Sequence, residues 1–338
     1  MNGYEESVRE VAVPRELGAV ADLAPVDGSG GPQWLVLGQD GRISRWDPVT
    51  GQHAVLAATT VPVETEPEGH RGERIRRRLH ASGDGDFAAV VNDYGRFGEL
   101  LDLRTGEVTR ALDGQSYNSW TVPFSLAFVE HQGRCVVVHR TDWNRLDVSD
   151  PGTGELLTGR PEAGFAEHHL DFFHGALYPS PDGRRILDDG WLWHPIGIPA
   201  VWRLDRWLGE NPWESEDGPS RLDLCDRAYY WNHAMTWIGP DRVAVGGLGD
   251  DDDDMRAGAR IFELSATANE VLAFEGPGGR FFSDGTRLFS SDDSALSAWD
   301  PTDGRLLGTV PGFSPTHHHA SGRQFLELEG GAVRLLAY

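Results

Sequence analysis

Short apolar runs and polar breaks alternate along the whole of this chain, and each run ends at Gly, Pro, Asp, Asn or Ser. The pattern is cleanest between Arg280 and Pro311, RFFSDGTRLFSSDDSALSAWDPTDGRLLGTVP. A first strand ends at Phe281 and Phe282 and turns on Ser283, Asp284 and Gly285. Arg287 to Ser290, Leu296 to Trp299 and Leu306 to Val310 follow as three more strands, broken at Asp292–Asp293 and at Asp300 to Gly304. Runs of this length, rich in aromatic and β-branched residues and bounded by turn formers, predict one antiparallel four-stranded sheet.

The same unit recurs. Its first hairpin, an apolar strand, a turn of Asp, Gly and Arg, and a second apolar strand, is found from Ala24, His80, Ala127, Leu177, Thr236, Phe281 and His319, seven times in all. After each hairpin a third strand leads, in most copies, to an acidic residue and a Thr-, Gly- or Pro-containing turn, as in RWDPVTGQ from Arg45, LLDLRTGE from Leu100 and AWDPTDGR from Ala298. The spacing between copies varies, which places the insertions in loops. The last copy, VRLLAY, holds a third strand and no fourth. A strand at about 8–14, REVAV from Arg9, belongs to no unit of its own. It is expected to complete the last sheet with 313–338 and to seal a ring by backbone hydrogen bonds.

Composition agrees with an all-β chain with many turns: 42 Gly and 20 Pro among 338 residues, placed between the apolar runs. The formal net charge of -23 opposes binding to nucleic acid phosphates and anionic lipid. All basic residues are arginine, so no lysine chemistry is available. Cys135 lies in an apolar run and Cys225 in a polar loop, with neither metal-ligand spacing nor a disulfide framework. The N-terminal MNGYEESVRE lacks the apolar stretch of a signal peptide, and no run approaches the ~20 residues that span a bilayer. A monomeric cytoplasmic protein is the expectation.

Seven such units, the turn Ser180-Pro181-Asp182-Gly183, the pairs Trp46-Asp47 and Trp299-Asp300 closing third strands, and a sealing N-terminal strand resemble the WD40 and WD40-like β-propellers. Gly69-His70 is similar to the Gly-His pair of that family, ahead of the Ser82 turn. The resemblance covers essentially the whole chain. It implies a single domain, 1–338, folded as a seven-bladed β-propeller of four-stranded antiparallel blades. It implies no particular function, since propellers serve as scaffolds, binders and enzymes.

In such a ring, fourth-to-first and second-to-third connections share one face. The longest insertions are expected there: Thr59–Arg78, Gly114–Pro123, Gly159–Asp171, Asp188–Pro199, Gly209–Asn232 and Gly247–Gly258. They carry Tyr117, Trp120, Trp191, Trp193, Trp213, Tyr229, Tyr230 and Trp231, and Trp143 occupies a similar loop. Exposed Trp and Tyr are typical binding hot spots. The principal expectation is therefore a scaffold that binds a protein or peptide through Trp120, Trp143, Trp191, Trp193, Tyr230 and Trp231.

Other chemistry competes with this expectation. His174 and His233 share a register near the start of their first strands, and His318 lies near the equivalent end of the last unit. A divalent metal at the channel mouth, held by His174, His233 and His318, would make a lyase- or lactonase-type propeller enzyme. The bland alternative, polar groups lining a wet channel, is preferred, and no cofactor is expected. Asp250, Asp252 and Asp254 alternate as in a calcium loop, but Met255 and Ile261 stand where Gly and Glu are required, so a solvated loop is expected. The run Arg71, Arg74, Arg76, Arg77, Arg78 could clamp a carboxylate or phosphate, or neutralise acidic loops; the second is preferred. No nucleophile elbow, phosphate loop, dinucleotide fingerprint or H-E-x-x-H motif occurs. A small-molecule or glycan binder using the same aromatics is a third reading.

Overall fold

A computed structural model of the chain describes residues 8–28, 30–64, 73–160, 167–329 and 331–338. Gly69-His70, Arg71 and the whole N-terminal MNGYEES stretch lie outside the described residues. Seven antiparallel sheets follow one another along the chain. The first strands touch side by side from the last sheet through the first and on to the sixth, and a shared apolar core of Phe289, Leu296, Phe325 and Leu336 joins the sixth to the last, closing a ring. The sheets are numbered here as blades 1 to 7.

Blade 6 shows why the repeat folds as it does. Its strands are Arg280–Ser283, Leu288–Ser291, Ala295–Trp299 and Leu306–Pro311. At the first turn Asp284 accepts the backbone N–H groups of Thr286 and Arg287 at 3.0 and 2.8 Å. Ser82–Asp84 and Ser180–Asp182 perform the same service in blades 2 and 4, each Ser hydroxyl donating to its Asp at 2.6 Å. At the turn after the third strand the carbonyls of Asp47, Asp102, Asp150 and Asp300 each accept the N–H of a Gly four residues on. Most of the repeated aspartates are thus turn-builders. Gly183 shows how tight the packing is: a Cβ there would lie 1.9 Å from the Glu130 carbonyl oxygen of the preceding blade.

Each blade is sandwiched between two others, so its second strand is buried on both faces. Ala88–Val91 is fully buried, whereas the outer strand His53–Ala58 is mostly exposed. Strands buried on both faces read as continuous apolar runs rather than alternating ones. The ring is sealed as expected. Val8–Val11 pairs antiparallel with the last strand, Val8 opposite Leu336 and Val11 opposite Val333. No helix among the described residues is long and apolar enough to cross a membrane.

Two blades depart from the simple unit. Blade 3 has three named strands, with its outer edge reduced among the described residues to a bridge between Ser149 and Leu156. In blade 4 the first strand is split into Phe172–Phe173 and Leu177–Pro179, and the fourth into Leu222–Asp223 and Arg227–Ala228. Two expected loops are corrected here. Most of Asp188–Pro199 belongs to the long hairpin of Arg185–Leu192 and Ile196–Arg203, so Trp191 is a strand residue. The first half of Gly209–Asn232 is not on the long-loop face. It follows helix Leu204–Gly209, contains Glu214–Asp217, and joins third to fourth strand, because Asp223 pairs with Ala200 only after it. This insertion packs against blade 3. Trp207 joins the core of Val136, Val138 and Leu146, and Trp213 is buried with its ring stacked on His168.

Candidate functional site

The aromatic side chains over blades 3 and 4 form a continuous stack. Phe173 lies face to face with Trp191 at 4.4 Å between ring centroids, and Trp191 stacks in turn on Trp231 at 4.9 Å. Trp143 and Tyr117 close on Phe173 at 4.9 and 6.0 Å, and Trp193 leans on Trp191 at 5.6 Å. Thr121 pins the stack from the blade 2–3 connection: its hydroxyl accepts the Trp191 indole N–H and its carbonyl accepts that of Trp231 at 2.9 Å. Four separate connections therefore converge on one patch. Two rings present themselves to solvent, Tyr117 at 53% and Trp193 at 50% exposure, while Phe173 and Trp191 are buried beneath.

The loops that carry these rings adopt backbone conformations most residues avoid. Gln115 and Asn118 flank Tyr117 with φ of 60° and 50°, and Tyr229 and Asn232 flank Tyr230 and Trp231 with φ of 55° and 60°. Left-handed non-glycine residues persist only where surrounding packing over-determines them, and they concentrate at ligand clamps. Gly197 permits one such approach, since a Cβ there would meet the Tyr230 carbonyl oxygen at 1.9 Å.

The six aromatics expected to form the surface are thus not equivalent. Trp143, Trp191, Trp193 and Trp231 share the stack. Trp120 sits half-buried in the turn Ser119–Thr121. Tyr230 turns away, its ring edge-on to His233 at 5.1 Å with the Arg227 guanidinium beside it. The hub, Phe173, was not singled out from sequence. Phe172-Phe173 reads there as an ordinary apolar pair, and only its position between two polar loops hinted otherwise.

The histidines are distributed differently from the metal-site expectation. His174 and His233 approach neighbouring residues of one strand: His174 donates to Asp188 at 2.7 Å and His233 to Asp189 at 2.5 Å. Both imidazoles are buried. Burial pushes the Asp189 carboxyl up, against the pull of His233. His318 is not with them. It stacks on Phe325 at 4.3 Å in the core shared by blades 6 and 7, and its Nε2 meets the Tyr338 hydroxyl at 2.8 Å. Burial lowers its pKa to about 4. No group of three His, Cys, Asp or Glu side chains with metal-binding geometry occurs among the described residues.

His139 illustrates what a buried histidine does to the acid limb of stability. Its Nδ1–H donates to the Arg140 carbonyl at 3.2 Å and its Nε2 accepts from Ser149 at 2.8 Å. Burial lowers its pKa from 6.5 to about 4. The unfolded chain takes up a proton at this residue as pH falls below about 6.5, and the folded protein does so only near 4. Stability is therefore lost across that window, by about 3 kcal/mol for the full shift. His80 and His318 act in the same direction. His139→Gln should shrink the difference in unfolding free energy between pH 7 and pH 4.5 by roughly one proton's share; an unchanged difference, from denaturant titrations extrapolated to water at the two pH values, would refute this.

The basic run separates on folding. Arg77 donates to the Val61 carbonyl at 2.5 Å, while Arg78 and Arg76 approach the buried Asp93 carboxylate at 3.3 and 3.6 Å. Asp250 to Asp254 forms a short turn, Asp252–Asp254, whose neighbour Asp250 accepts the Ala228 N–H at 2.9 Å. The acidic loop thereby braces the end of blade 4.

No protein-family model matches the chain, and no curated protein matches its sequence. Among solved structures it is similar to the β-propeller domain of Cps50 (Swd1) from Myceliophteria thermophila, with a TM-score of 0.58 over 98% of this chain and 99% of that one, at 12% identity. That likeness is one of fold. Seven radial antiparallel sheets, a ring sealed by the N-terminal strand and this match together establish the chain as a seven-bladed β-propeller.

Proposed function

We propose that the chain, as a single propeller domain and a monomer in the cytoplasm, is a scaffold that captures a protein or peptide partner on its long-loop face. The observation that carries this is the stack over blades 3 and 4. It holds Tyr117 and Trp193 half-exposed above the buried floor of Phe173 and Trp191. Large rings on a rigid base lose little conformational entropy on binding and bury large areas. Trp143 and Trp231 form the shoulders, with Trp120 and Tyr230 at the margin.

The double variant Tyr117→Ala/Trp193→Ala removes the exposed rings and leaves the floor. Peptides selected from a display library on the wild-type protein should bind it at least about tenfold more weakly, with the unfolding midpoint nearly unchanged. Equal affinity of the variant for those peptides would sink the proposal.

A further inference from the structure

Two carboxylates stand beside rings of the aromatic stack. Asp142 accepts the backbone N–H of Trp143 at 2.7 Å, which holds its carboxylate at the root of that indole. The Asp171 carbonyl accepts the backbone N–H of Trp193 at 3.0 Å, and its side chain, 66% exposed, lies 3.4 Å from the His169 Nε2. His169 in turn meets the Trp143 ring edge-on at 5.9 Å. Contacts therefore run without a break through Asp142, Trp143, His169, Asp171 and Trp193 along one side of the patch. Tyr117 leans on Trp143 at 5.0 Å between ring centroids.

Among the described residues neither carboxylate meets an arginine, and the Trp143 N–H is the one partner of the Asp142 side chain. Elsewhere exposed carboxylates do have such partners, Asp113 in Arg96 and Asp241 in Arg185. The segments that carry the rings, 114–125, 141–145, 167–173, 191–197 and 226–233, hold Asp142, Glu167, Asp171 and Asp226 against Arg145 and Arg227. Both arginines are engaged within the fold. Arg145 pairs with Asp147 at 2.9 Å. Arg227 is fully buried and donates to the Gly246 and Gly247 carbonyls. The patch is therefore aromatic and negative together.

Arg160 shows which cation suits that combination. Inside the protein its guanidinium lies over the Trp213 ring at 4.9 Å and pairs with the Glu216 carboxylate. We propose that the stack captures a peptide segment bearing arginine, its guanidinium laid on the exposed rings of Trp193 and Tyr117 and its fork turned to Asp171 or Asp142. A planar guanidinium stacks on a ring and pairs bidentately with a carboxylate, whereas a lysine ammonium offers only a point charge. The net charge of -23 draws such a segment in from a distance. This rests on the reading of the stack as a partner surface and adds the chemistry of the partner.

Peptides selected on the full chain from a random display library are the probe. Those that lose binding to Tyr117→Ala/Trp193→Ala should carry arginine. Asp142→Asn/Asp171→Asn should bind them about tenfold or more weakly, and Asn keeps an acceptor for the Trp143 N–H. Citrulline in place of the peptide's arginine should weaken binding to a similar degree, and lysine should recover only part. Raising the salt concentration from about 50 to about 500 mM should weaken wild-type binding more than that of the double variant. Glu107→Gln/Glu263→Gln removes two exposed charges beside third-to-fourth turns, on the opposite face, and should change affinity by less than about twofold. Far-ultraviolet circular dichroism of each variant guards against misfolding. Peptides that need Tyr117 and Trp193 yet lack arginine, or bind Asp142→Asn/Asp171→Asn as tightly as wild type, or are weakened equally by the distant pair, would overturn the proposal and leave the partner surface standing. If no selected peptide needs the two rings, both readings fall.

Discussion

Phe173→Ala should destabilise the protein by about 3–5 kcal/mol and abolish partner binding at the same time. Phe173 is buried, and its ring contacts Trp191, Trp143, Tyr117 and Trp193. Alanine would leave a cavity the size of a benzene ring under a patch assembled from separate connections. Trp191 could not fill it, because its indole N–H is held by Thr121. Tyr117 and Trp193 would lose the surface that orients them. Urea unfolding monitored by tryptophan fluorescence measures the first effect and titration with a selected peptide the second. A stability change below about 0.5 kcal/mol would show that the stack is not a packed unit. Loss of stability with peptide affinity retained would show that the exposed rings do not depend on it.

The second large effect is expected at Arg160. Its side chain is almost wholly buried between the two blades that frame the helical insertion. It pairs with Glu216, approaches Asp147 at 3.6 Å, and donates to the Leu146 carbonyl at 2.5 Å. Its guanidinium also lies against the rings of Trp213 and Trp207, at 4.9 and 5.9 Å. Arg160→Ala would leave the buried Glu216 carboxylate without its cation, while Asp147 keeps Arg145 at 2.9 Å; breaking such a buried pair destabilises by about 3–5 kcal/mol. The double variant Arg160→Met/Glu216→Gln removes both charges of the pair, leaves Asp147 with Arg145, and should regain most of that loss. Limited proteolysis should cut Arg160→Ala within 204–221 sooner than the wild type, since this side chain and Trp207 are among the contacts that hold the insertion to blade 3. Equal stability of wild type and Arg160→Ala would mean that the ion pairs contribute nothing net.

The two residues differ in how much of them could be foreseen. Nothing around Arg160 in the sequence names Glu216, which lies fifty-six positions on. Phe173 stands in an apolar pair of the kind found in every strand. The exposed aromatics were visible as a class, because Trp and Tyr in polar loops are unusual. Their sorting into floor, rim and bystander was not, since it depends on which loops the ring brings together. The histidines show the same limit. His174 and His233 share a register and do reach adjacent residues, Asp188 and Asp189. His318 shares it only approximately, and a shift along a strand turns a side chain to the other face. It entered the apolar core between blades 6 and 7.

What the sequence by itself determined is the repeat: seven hairpins, their Asp- and Gly-built turns, and the N-terminal strand that closes the ring. The hairpins and turns are local devices, each made by residues within a few positions of one another, and the sealing strand is legible as a strand left outside the repeat, opposite a last copy that lacks its fourth. The tertiary structure alone decided the rest. It set Phe173 under Trp191 and carried the insertion of blade 4 across to Arg160. These contacts join residues tens of positions apart, and the angular step from blade to blade, which no short stretch encodes, brings them within reach.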